Sequence, residues 1–163
     1  MKKTNAAFSN SFKLKRTNSN NPDFKSLIVL LDQDLHKING ELMLIYSPHN
    51  IIEPIETVVI AYMDDTPVGC GCFKKLDANT TEIKRMFVTE NQRGKGIASA
   101  ILTELELWAA EIGYTHSVLE TGKRHHEALN LYNRFGYAAI EKYGPYVAIE
   151  ESICMGKRLV IGG

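Results

Sequence analysis

The sequence predicts a mixed α/β (α+β) fold with a central, mostly antiparallel sheet of six to seven strands and helices on both faces. Two observations support this prediction. Short β-branched segments joined by turn residues occupy residues 57–88, which is typical of an antiparallel meander. Two long stretches with apolar residues at helical spacing flank that segment. Since 44% of the 163 residues are hydrophobic and 23% are charged, the chain can form one core of ordinary domain size.

The first elements are predicted from caps and apolar spacing. Residues 1–11 are small and polar and are expected to form a flexible N-terminal tail, with residues 12–163 as a single domain. Residues 12–16 form the first predicted strand. Asn21-Pro22-Asp23 is typical of a helix start, because Asn caps the helix, Pro suits the first turn and Asp complements the helix dipole. Apolar residues at helical spacing carry this helix to about Lys37: Leu27, Leu30, Leu31 and Leu35.

The remaining elements follow from the same signals. Beyond a stop at Asn39-Gly40, residues 41–46 are expected to begin a second helix and residues 47–55 to form a loop. The meander is predicted as strands 57–63, 68–74 and 81–88, with a turn at 64–67 between the first two. A long helix is predicted for 96–112, a strand for 117–121, a helix for 125–135 that ends at Gly136, and strands near 137–140 and 151–158. The apolar stripe of the long helix comprises Ile97, Ile101, Leu105, Trp108 and Ile112.

Charge and cysteine content exclude several classes of protein. Nineteen basic residues balance nineteen acidic ones, so we expect no nucleic-acid partner. No stretch approaches the roughly 20 apolar residues of a membrane span, so we expect no membrane partner and a cytoplasmic protein. Cys70, Cys72 and Cys154 are too few for a disulfide framework. The pair at 70 and 72 is expected to pack in the core, with a nucleophilic role as the alternative, and no metal site is expected.

Two glycines lie between a strand and a long helix. The first turn of a helix has unpaired N–H groups and a partial positive charge, and therefore holds phosphate well. Gly94 and Gly96 leave room for phosphate oxygens beside those groups, and Arg93 and Lys95 add positive charge. The predicted ligand is a phosphorylated molecule that lies across residues 93–98. The alternative is a tight loop in which glycine solves only a backbone problem.

Asn91-Gln92-Arg93-Gly94-Lys95-Gly96 resembles the acetyl-CoA signature of the GNAT family of N-acetyltransferases, with Asn in the first position where the family has Gln or Arg. A second block, with Ala128, Leu131-Tyr132 and Gly136-Tyr137, resembles the family's downstream motif. Leu119-Glu120-Thr121-Gly122 and the segment from Tyr143 to Lys157 look like those of a subgroup of small bacterial acetyltransferases. The resemblance covers about residues 56–158.

The resemblance implies a splayed sheet and acetyl-CoA as co-substrate. In the family, the pantetheine arm lies between two separated strands like an added strand, and the pyrophosphate lies on the glycine loop. The implied cofactor-binding residues are Met86, Phe87, Val88, Arg93, Gly94, Lys95, Gly96, Ile97, Ala98 and His125. The basic cluster of residues 123–126, which contains His125, is either solvated charge or a contact with the cofactor's outer phosphate.

The resemblance also implies two catalytic residues. Glu82 matches the family's catalytic glutamate and would deprotonate the attacking amine. If the strand is regular, Glu82, Lys84, Met86 and Val88 share one face; the alternative is an exposed glutamate paired with Lys84. Tyr132 matches the tyrosine that donates to the departing sulfur, and its alternative is a core tyrosine on the apolar face of its helix.

The sequence thus predicts an enzyme that transfers acetyl from acetyl-CoA to a primary amine by direct attack on the thioester. A non-catalytic acyl-CoA sensor and transfer of another acyl group are the alternatives. The acceptor is a small-molecule amine or a protein amine, and residues 143–146 are expected to border it. Four helical residues form either an acidic wall of that pocket or exposed surface: Asp32, Asp34, Glu41 and Tyr46. The last strand, near 151–158, could pair across a homodimer.

Overall fold

A computed structural model of the protein describes residues 11–40 and 53–160. The predicted tail, the predicted second helix at 41–46 and most of the predicted loop at 47–55 lie outside the described residues. The elements are β1 (Lys13–Thr17), α1 (Pro22–Asn39), β2 (Val58–Met63), β3 (Thr66–Lys75), β4 (Thr80–Val88), α2 (Ile97–Ile112), β5 (His116–Gly122), α3 (His126–Arg134), β6 (Ala138–Ala139) and β7 (Ser152–Arg158). Short 3₁₀ helices lie at Glu90–Gln92 and Gly144–Ala148.

The described strands form one seven-stranded sheet in the order β1-β2-β3-β4-β5-β7-β6. All neighbours are antiparallel except β4 and β5, which are parallel and are connected through α2. The predicted mostly antiparallel sheet with helices on both faces is therefore confirmed. Because β4 and β5 are parallel, their carboxyl ends lie on the same side of the sheet.

The strands β4 and β5 pair over only part of their length. Their register runs from Thr80 opposite His116 to Ile83 opposite Leu119. Beyond this point β4 continues to Val88 without pairing to β5, so the two strands separate as the predicted splay requires. A splay leaves backbone groups of both strands without a ladder partner, and such groups can pair with an extended ligand.

Two apolar cores cover the two faces of the sheet. On one face, here called the α1 face, α1 packs against Val58, Ile60, Cys70, Cys72 and Phe87. On the opposite α2–α3 face, the helices α2 and α3 pack against a larger core. Its large, fully buried helical residues are Ile97, Ile101, Leu102 and Leu105. Burial of these side chains stabilises the sheet by about 1.5–3 kcal/mol for each large aliphatic group.

The local predictions succeed at helix ends. The Asn21 side chain accepts a hydrogen bond from the Asp23 amide at 2.8 Å, as expected for an N-cap. Gly136 has a φ of 91° and follows α3 in the predicted left-handed conformation. Leu30 and Ile112 were wrongly assigned to apolar stripes, because both side chains are exposed, Ile112 to 55%. Each lies at the margin of its stripe, where the helix turns toward solvent.

The predicted turn at 64–67 is also too long. Thr66 and Pro67 belong to β3 and pair with Met63 and Tyr62, so that the turn itself is Asp64-Asp65. Asp64 takes a φ of 57°, a left-handed conformation that Asp tolerates in tight hairpins.

Strand β7 lies between two other strands. It pairs with β5 along residues 152–158 and with β6 at Met155 and Gly156. The β5 side of this strand is therefore occupied within the chain, and pairing across a homodimer stays a prediction for the residues of β7 that β6 does not cover.

Candidate functional site

A cleft of about 130 Å³ lies where β4 and β5 separate. Residues from α1, β4, β5 and α3 line it: Leu31, Leu35, Arg85, Met86, Glu120, Thr121, Gly122, His125, Ala128 and Tyr132. Three residues predicted from sequence therefore meet at one place, namely Met86, His125 and Tyr132. Met86 comes from β4, whereas His125 is the N-cap of α3 and Tyr132 lies within that helix, and the splay brings them together.

A β-bulge shapes the β4 wall of this cleft. Cys70 pairs with Phe87 and Cys72 with Lys84, so two residues of β4, Arg85 and Met86, lie opposite Gly71 alone. Arg85 has a φ of 62°, a left-handed conformation that is uncommon for a residue with a side chain. The extra residue ends the regular alternation of the strand.

The bulge corrects the prediction that Glu82, Lys84, Met86 and Val88 share one face. Met86 and Val88 belong to the core on the α2–α3 face. Lys84 pairs with Cys72, whose side chain packs on the α1 face. Glu82 and Lys84 therefore lie on the face opposite to Met86 and Val88. Phe87 packs on the α1 face as well.

The glycine loop leads into an uncapped helix start. Gly94 and Gly96 have φ values of 81° and 83°, which explains glycine at both positions on backbone grounds. Gly96 is the N-cap of α2, and no side chain within the described residues caps that end. The amides of the first helical turn, which includes Ile97 and Ala98, therefore have no intrahelical acceptor.

Space around these glycines is also open. A Cβ built at Gly94 or Gly96 would meet no atom within 4 Å. Among the described residues, the space that a methyl group at either glycine would enter is therefore empty. Exposed amides, the positive end of a helix dipole of 16 residues and unfilled space suit a phosphate group, so this cradle fits the diphosphate of a coenzyme.

The two basic residues of the loop differ in their contacts. Arg93 donates from Nε to the Val88 carbonyl at 2.8 Å and from Nη2 to Asp34 Oδ2 at 3.1 Å. Its guanidinium also lies over the Phe87 ring, 5.7 Å from the centroid. Arg93 thus ties the loop to the end of β4 and to α1. Lys95 is exposed and donates to Gln92 Oε1 at 2.8 Å.

Tyr132 is buried in the wall of the cleft. Its ring packs edge-to-face on Tyr137, with centroids 5.8 Å apart. Among the described residues its hydroxyl has no hydrogen-bond partner. Burial first, and the nearby Glu120 carboxylate second, raise the pKa of Tyr132 above the ordinary phenol value. The phenol therefore stays protonated at neutral pH, and its O–H is available to donate.

Glu82 is neither exposed nor paired with Lys84, so that alternative is wrong. Its side chain is 3% exposed and accepts a hydrogen bond from the Tyr143 hydroxyl at 2.9 Å. Lys84 instead donates to the Tyr146 hydroxyl at 3.1 Å. Burial and the Glu82 carboxylate raise the pKa of both tyrosines, which keeps them neutral donors.

These residues line a second cavity of about 340 Å³ beside the cleft. Tyr143, Gly144, Pro145 and Tyr146 form one of its walls, where the sequence analysis placed a border of the acceptor. Glu53 and Lys74 also line it and form an ion pair of 2.7 Å. The cavity therefore combines a buried carboxylate, tyrosine hydroxyls and lysine side chains.

Glu120 is a functional candidate that the sequence analysis did not select. It lines the cleft together with Met86 and Tyr132 and accepts a hydrogen bond from the Ser152 hydroxyl at 2.6 Å. Burial is the main cause that raises its carboxyl pKa; the Ser152 hydrogen bond and the charge of Lys84 oppose this rise. The sequence did contain a signal for Glu120: it is a carboxylate inside a predicted strand, next to the apolar Leu119, and a charged residue in such a place often has a functional role.

The remaining candidates divide between cleft and surface. His125 lines the cleft, and burial lowers its pKa below the usual histidine value. Lys123 and Arg124 beside it are exposed. Asp32 is 51% exposed and Asp34 is paired with Arg93, whereas Glu41 and Tyr46 lie outside the described residues.

The cysteines belong to the core. Cys70 and Cys72 are fully buried on the α1 face, and burial raises the pKa of the Cys72 thiol to about 12, which disfavours a nucleophilic thiolate. Across the ranges 11–40 and 53–160, no three His, Cys, Asp or Glu side chains are grouped so as to hold a metal ion. Within the same ranges, no helix is long and apolar enough to cross a membrane.

Comparisons with known proteins agree with this geometry. The model of the "Acetyltransferase (GNAT) family" matches residues 24–137. The chain is 30% identical over 146 residues to an uncharacterized N-acetyltransferase, YsnE, of Bacillus subtilis, covering 83% of this chain and 93% of that protein. It is 30% identical over 138 residues to an IAA acetyltransferase of Azospirillum brasilense, covering 81% and 90%.

The fold also matches a solved structure. A GNAT family acetyltransferase from Elizabethkingia anophelis, crystallised with acetyl-CoA bound, superposes with a TM-score of 0.65 at 22% identity. The superposition covers 91% of this chain and 98% of that one.

Proposed function

The chain belongs to the GNAT acetyltransferase family, and from this premise we propose that its cleft acetylates a small primary amine. It is an acyltransferase, and its co-substrate is acetyl-CoA. The observation that carries the proposal is the convergence of Met86, Glu120 and Tyr132 in the splay beside an open helix start.

The coenzyme would be held by backbone groups more than by side chains. The amides around Gly94, Gly96 and Ala98 receive the diphosphate, and the open edge of β4 at Met86–Val88 receives the pantetheine arm. Arg93 acts by positioning the loop, since its side chain is bonded to Val88 and Asp34. Lys95 and His125 lie where they can meet phosphate oxygens or the arm.

Acetyl-CoA supplies an activated acyl group with a thiol as leaving group. In the balanced reaction the amine nitrogen forms a bond to the acyl carbon, the carbon–sulfur bond breaks, the nitrogen loses one proton and the sulfur gains one. An alkylamine with a pKa near 10.4 is mostly protonated at pH 7, and presenting it unprotonated costs about 4.6 kcal/mol. The protein must therefore provide a base on one side and a donor on the other.

Tyr132 is the proposed donor. Its raised pKa makes complete proton transfer to a thiolate, whose pKa is near 8.5, uphill by more than about 2 kcal/mol. The hydroxyl therefore acts by hydrogen bonding to the sulfur as negative charge develops on it. Its lack of a partner among the described residues leaves the O–H free for this contact.

Two carboxylates are candidates for the base. Glu120 lines the cleft itself, and its raised pKa brings it closer to the range in which a general base works well. Glu82 lies in the adjoining cavity, where Tyr143 holds it. We propose that Glu120 receives the amine proton and that Glu82, the residue selected from the sequence, acts on the acceptor from the next cavity.

We also propose a cellular location and an oligomeric state for the enzyme. Cys70, Cys72 and Cys154 are free thiols, which supports a reducing cytoplasm. A homodimer stays a prediction, to be tested by sedimentation-velocity analysis of the full chain.

The test uses the full chain, acetyl-CoA and a panel of primary amines, with release of free coenzyme A thiol as the readout. We expect thiol release to accelerate at least tenfold with some of the amines and mass spectrometry to find the amide product. Binding of acetyl-CoA without amine-dependent thiol release would instead favour the sensor. Replacement of acetyl-CoA by succinyl-CoA tests the acyl preference, and faster turnover with the succinyl group would contradict the assignment.

A further inference from the structure

Arg85 is a buried cation that the proposed chemistry does not use. Its side chain is 5% exposed and lines the cleft. Its Nη2 is buried and has no hydrogen-bond partner in the described part of the chain. Its Nη1 lies 3.7 Å from Asp32 Oδ1, a distance too long for a strong hydrogen bond, and that carboxylate is half exposed. An unsatisfied buried guanidinium is costly, so this arrangement requires a reason.

The bulge places a second cation on the same side. Because Arg85 takes the left-handed conformation, both it and Lys84 lie on the α1 face, although they are consecutive in the strand. The Lys84 ammonium donates to the Tyr146 hydroxyl. Within residues 11–40 and 53–160, no carboxylate oxygen lies within 4.0 Å of that ammonium, so Lys84 forms no ion pair there. Of these two adjacent positive charges, Arg85 has only the 3.7 Å contact with the half-exposed Asp32, and Lys84 has no ion pair within the described residues.

Two carboxylates lie on the same side of the sheet. Glu120 lines the cleft with Arg85, and Glu82 lines the adjoining cavity with Lys84. Each of the two spaces is therefore lined by side chains of both signs, one of each in the cleft and several in the second cavity. A polyamine or an isolated lysine side chain would match the carboxylates and would leave the guanidinium unmatched. A molecule with both an amine and a carboxylate would match both.

We propose that the acceptor is an amino acid, and that Arg85 binds its carboxylate while Glu120 faces its amine. The inference rests on the proposed function, since it names the substrate class of the same site. A planar guanidinium holds a carboxylate through two parallel N–H···O bonds, and Nη2 is the donor that such a ligand would satisfy. Lys84 adds a second positive charge from the adjoining cavity.

The test compares amino acids with their carboxamides, which keep the side chain and the amine and lack the negative charge. L-alanine, L-methionine and L-phenylalanine are measured against the matching amides, and the readout is the ratio of kcat/KM for acid to amide. We expect the wild-type protein to favour the best acid by about tenfold or more. The amide has the less basic amine and is more often unprotonated, so a preference for the acid cannot arise from amine pKa.

Variants then assign the preference to one side chain. Arg85→Met should lower the acid-to-amide ratio about 10- to 100-fold, the range of a charge-assisted hydrogen bond. Arg85→Lys keeps the charge without the planar fork and should restore part of the ratio. Asp32→Asn removes the distant carboxylate and is the matched control, for which the ratio should not change. If Arg85→Met does not fold, the wild-type ratio and Arg85→Lys decide the question.

Two results would overturn the inference. The first is a wild-type protein that acetylates the amides, or amines without a carboxylate, as well as the acids; the proposed function would then stand without this substrate class. The second is an Arg85→Met variant with equal losses on acid and amide, which would make Arg85 a structural residue. If no amine of any kind releases thiol although acetyl-CoA binds, the proposed function fails together with the inference.

Discussion

Replacing Tyr132 by Phe removes one oxygen atom from the cleft and leaves the ring in place. The edge-to-face packing on Tyr137 does not depend on the hydroxyl, and among the described residues that hydroxyl makes no hydrogen bond. The substitution therefore removes no bond of the folded state, and we expect the free energy of unfolding to change by less than about 0.5 kcal/mol. A loss of activity would then report chemistry and not folding.

The expected loss follows from the contact that the hydroxyl is proposed to make. A hydrogen bond to a group that carries charge is worth about 1.5–3 kcal/mol, or about 10- to 150-fold in rate. Because the charge on sulfur develops only as the bond breaks, kcat should fall by this factor. The Kd for acetyl-CoA, measured by calorimetry, should change less than about threefold. Thiol release under saturating acetyl-CoA measures kcat.

Tyr137→Phe is the matched control, since it alters the other ring of the same pair. The Tyr137 hydroxyl bonds to Glu106 at 2.9 Å and to the buried Ser117 at 2.8 Å. Its removal should lower stability by about 1–3 kcal/mol, with kcat of the folded protein retained. The reasoning is refuted if Tyr132→Phe keeps the wild-type kcat, or if it loses stability while Tyr137→Phe does not.

Three further predictions concern the carboxylates and the bulge. Glu120→Gln should abolish the acidic limb of the pH profile of kcat/KM, whereas Glu82→Gln should keep it; the opposite pattern would make Glu82 the base. Because burial raises the folded-state pKa of Glu120, the wild-type protein gains stability from this group at pH values below its unfolded-state pKa and loses it as pH rises through the folded-state pKa. In urea unfolding at roughly constant ionic strength, the free energy of unfolding of Glu120→Gln minus that of the wild type should therefore increase between pH 5 and pH 8. A decrease of this difference over the same pH range would contradict the raised pKa of Glu120. Gly71→Ala should destabilise the protein by about 1–3 kcal/mol, since its Cβ would lie 2.6 Å from Met86 Sδ; an unchanged melting temperature would show that the bulge yields.

Local signals in the sequence predict the elements and the helix start well. The cap at Asn21, the left-handed Gly136 and the glycine loop before α2 depend on residues near one another in the chain, and the structure places them as predicted. Such features depend on backbone conformation and on the first turn of a helix. These features can be predicted from the sequence without knowing which strands pair with one another.

The face of Glu82 could not be predicted in this way. Alternation places Glu82 with Met86, yet the extra residue at Arg85 reverses every later side chain. The bulge exists because β4 pairs with β3 around Gly71, and this pairing is a tertiary property. The predicted shared face therefore failed at the residue where the cleft begins.

The contacts of Glu120 and Arg93 could not be predicted from the sequence either, because they depend on tertiary structure. Glu120 joins Met86 and Tyr132 only because β4 and β5 separate, and no local pattern records where a parallel pair ends. Arg93 has the charge expected for a phosphate contact, but its Nε donates to the Val88 carbonyl and its Nη2 to Asp34 of α1. Charge type was predictable for both residues, whereas the partner was not.

The central claim is that the start of α2 receives the diphosphate of coenzyme A, and calorimetry of coenzyme A binding tests it most directly. Gly96→Ala and Gly136→Ala each force alanine into a left-handed conformation with no atom within 4 Å of the new methyl group, at φ values of 83° and 91°. Both should lose about 1–2 kcal/mol of stability. We expect the Kd for coenzyme A to rise at least about tenfold for Gly96→Ala and to stay at the wild-type value for Gly136→Ala. Equal affinity in all three proteins, or no saturable heat with the wild type, would contradict it.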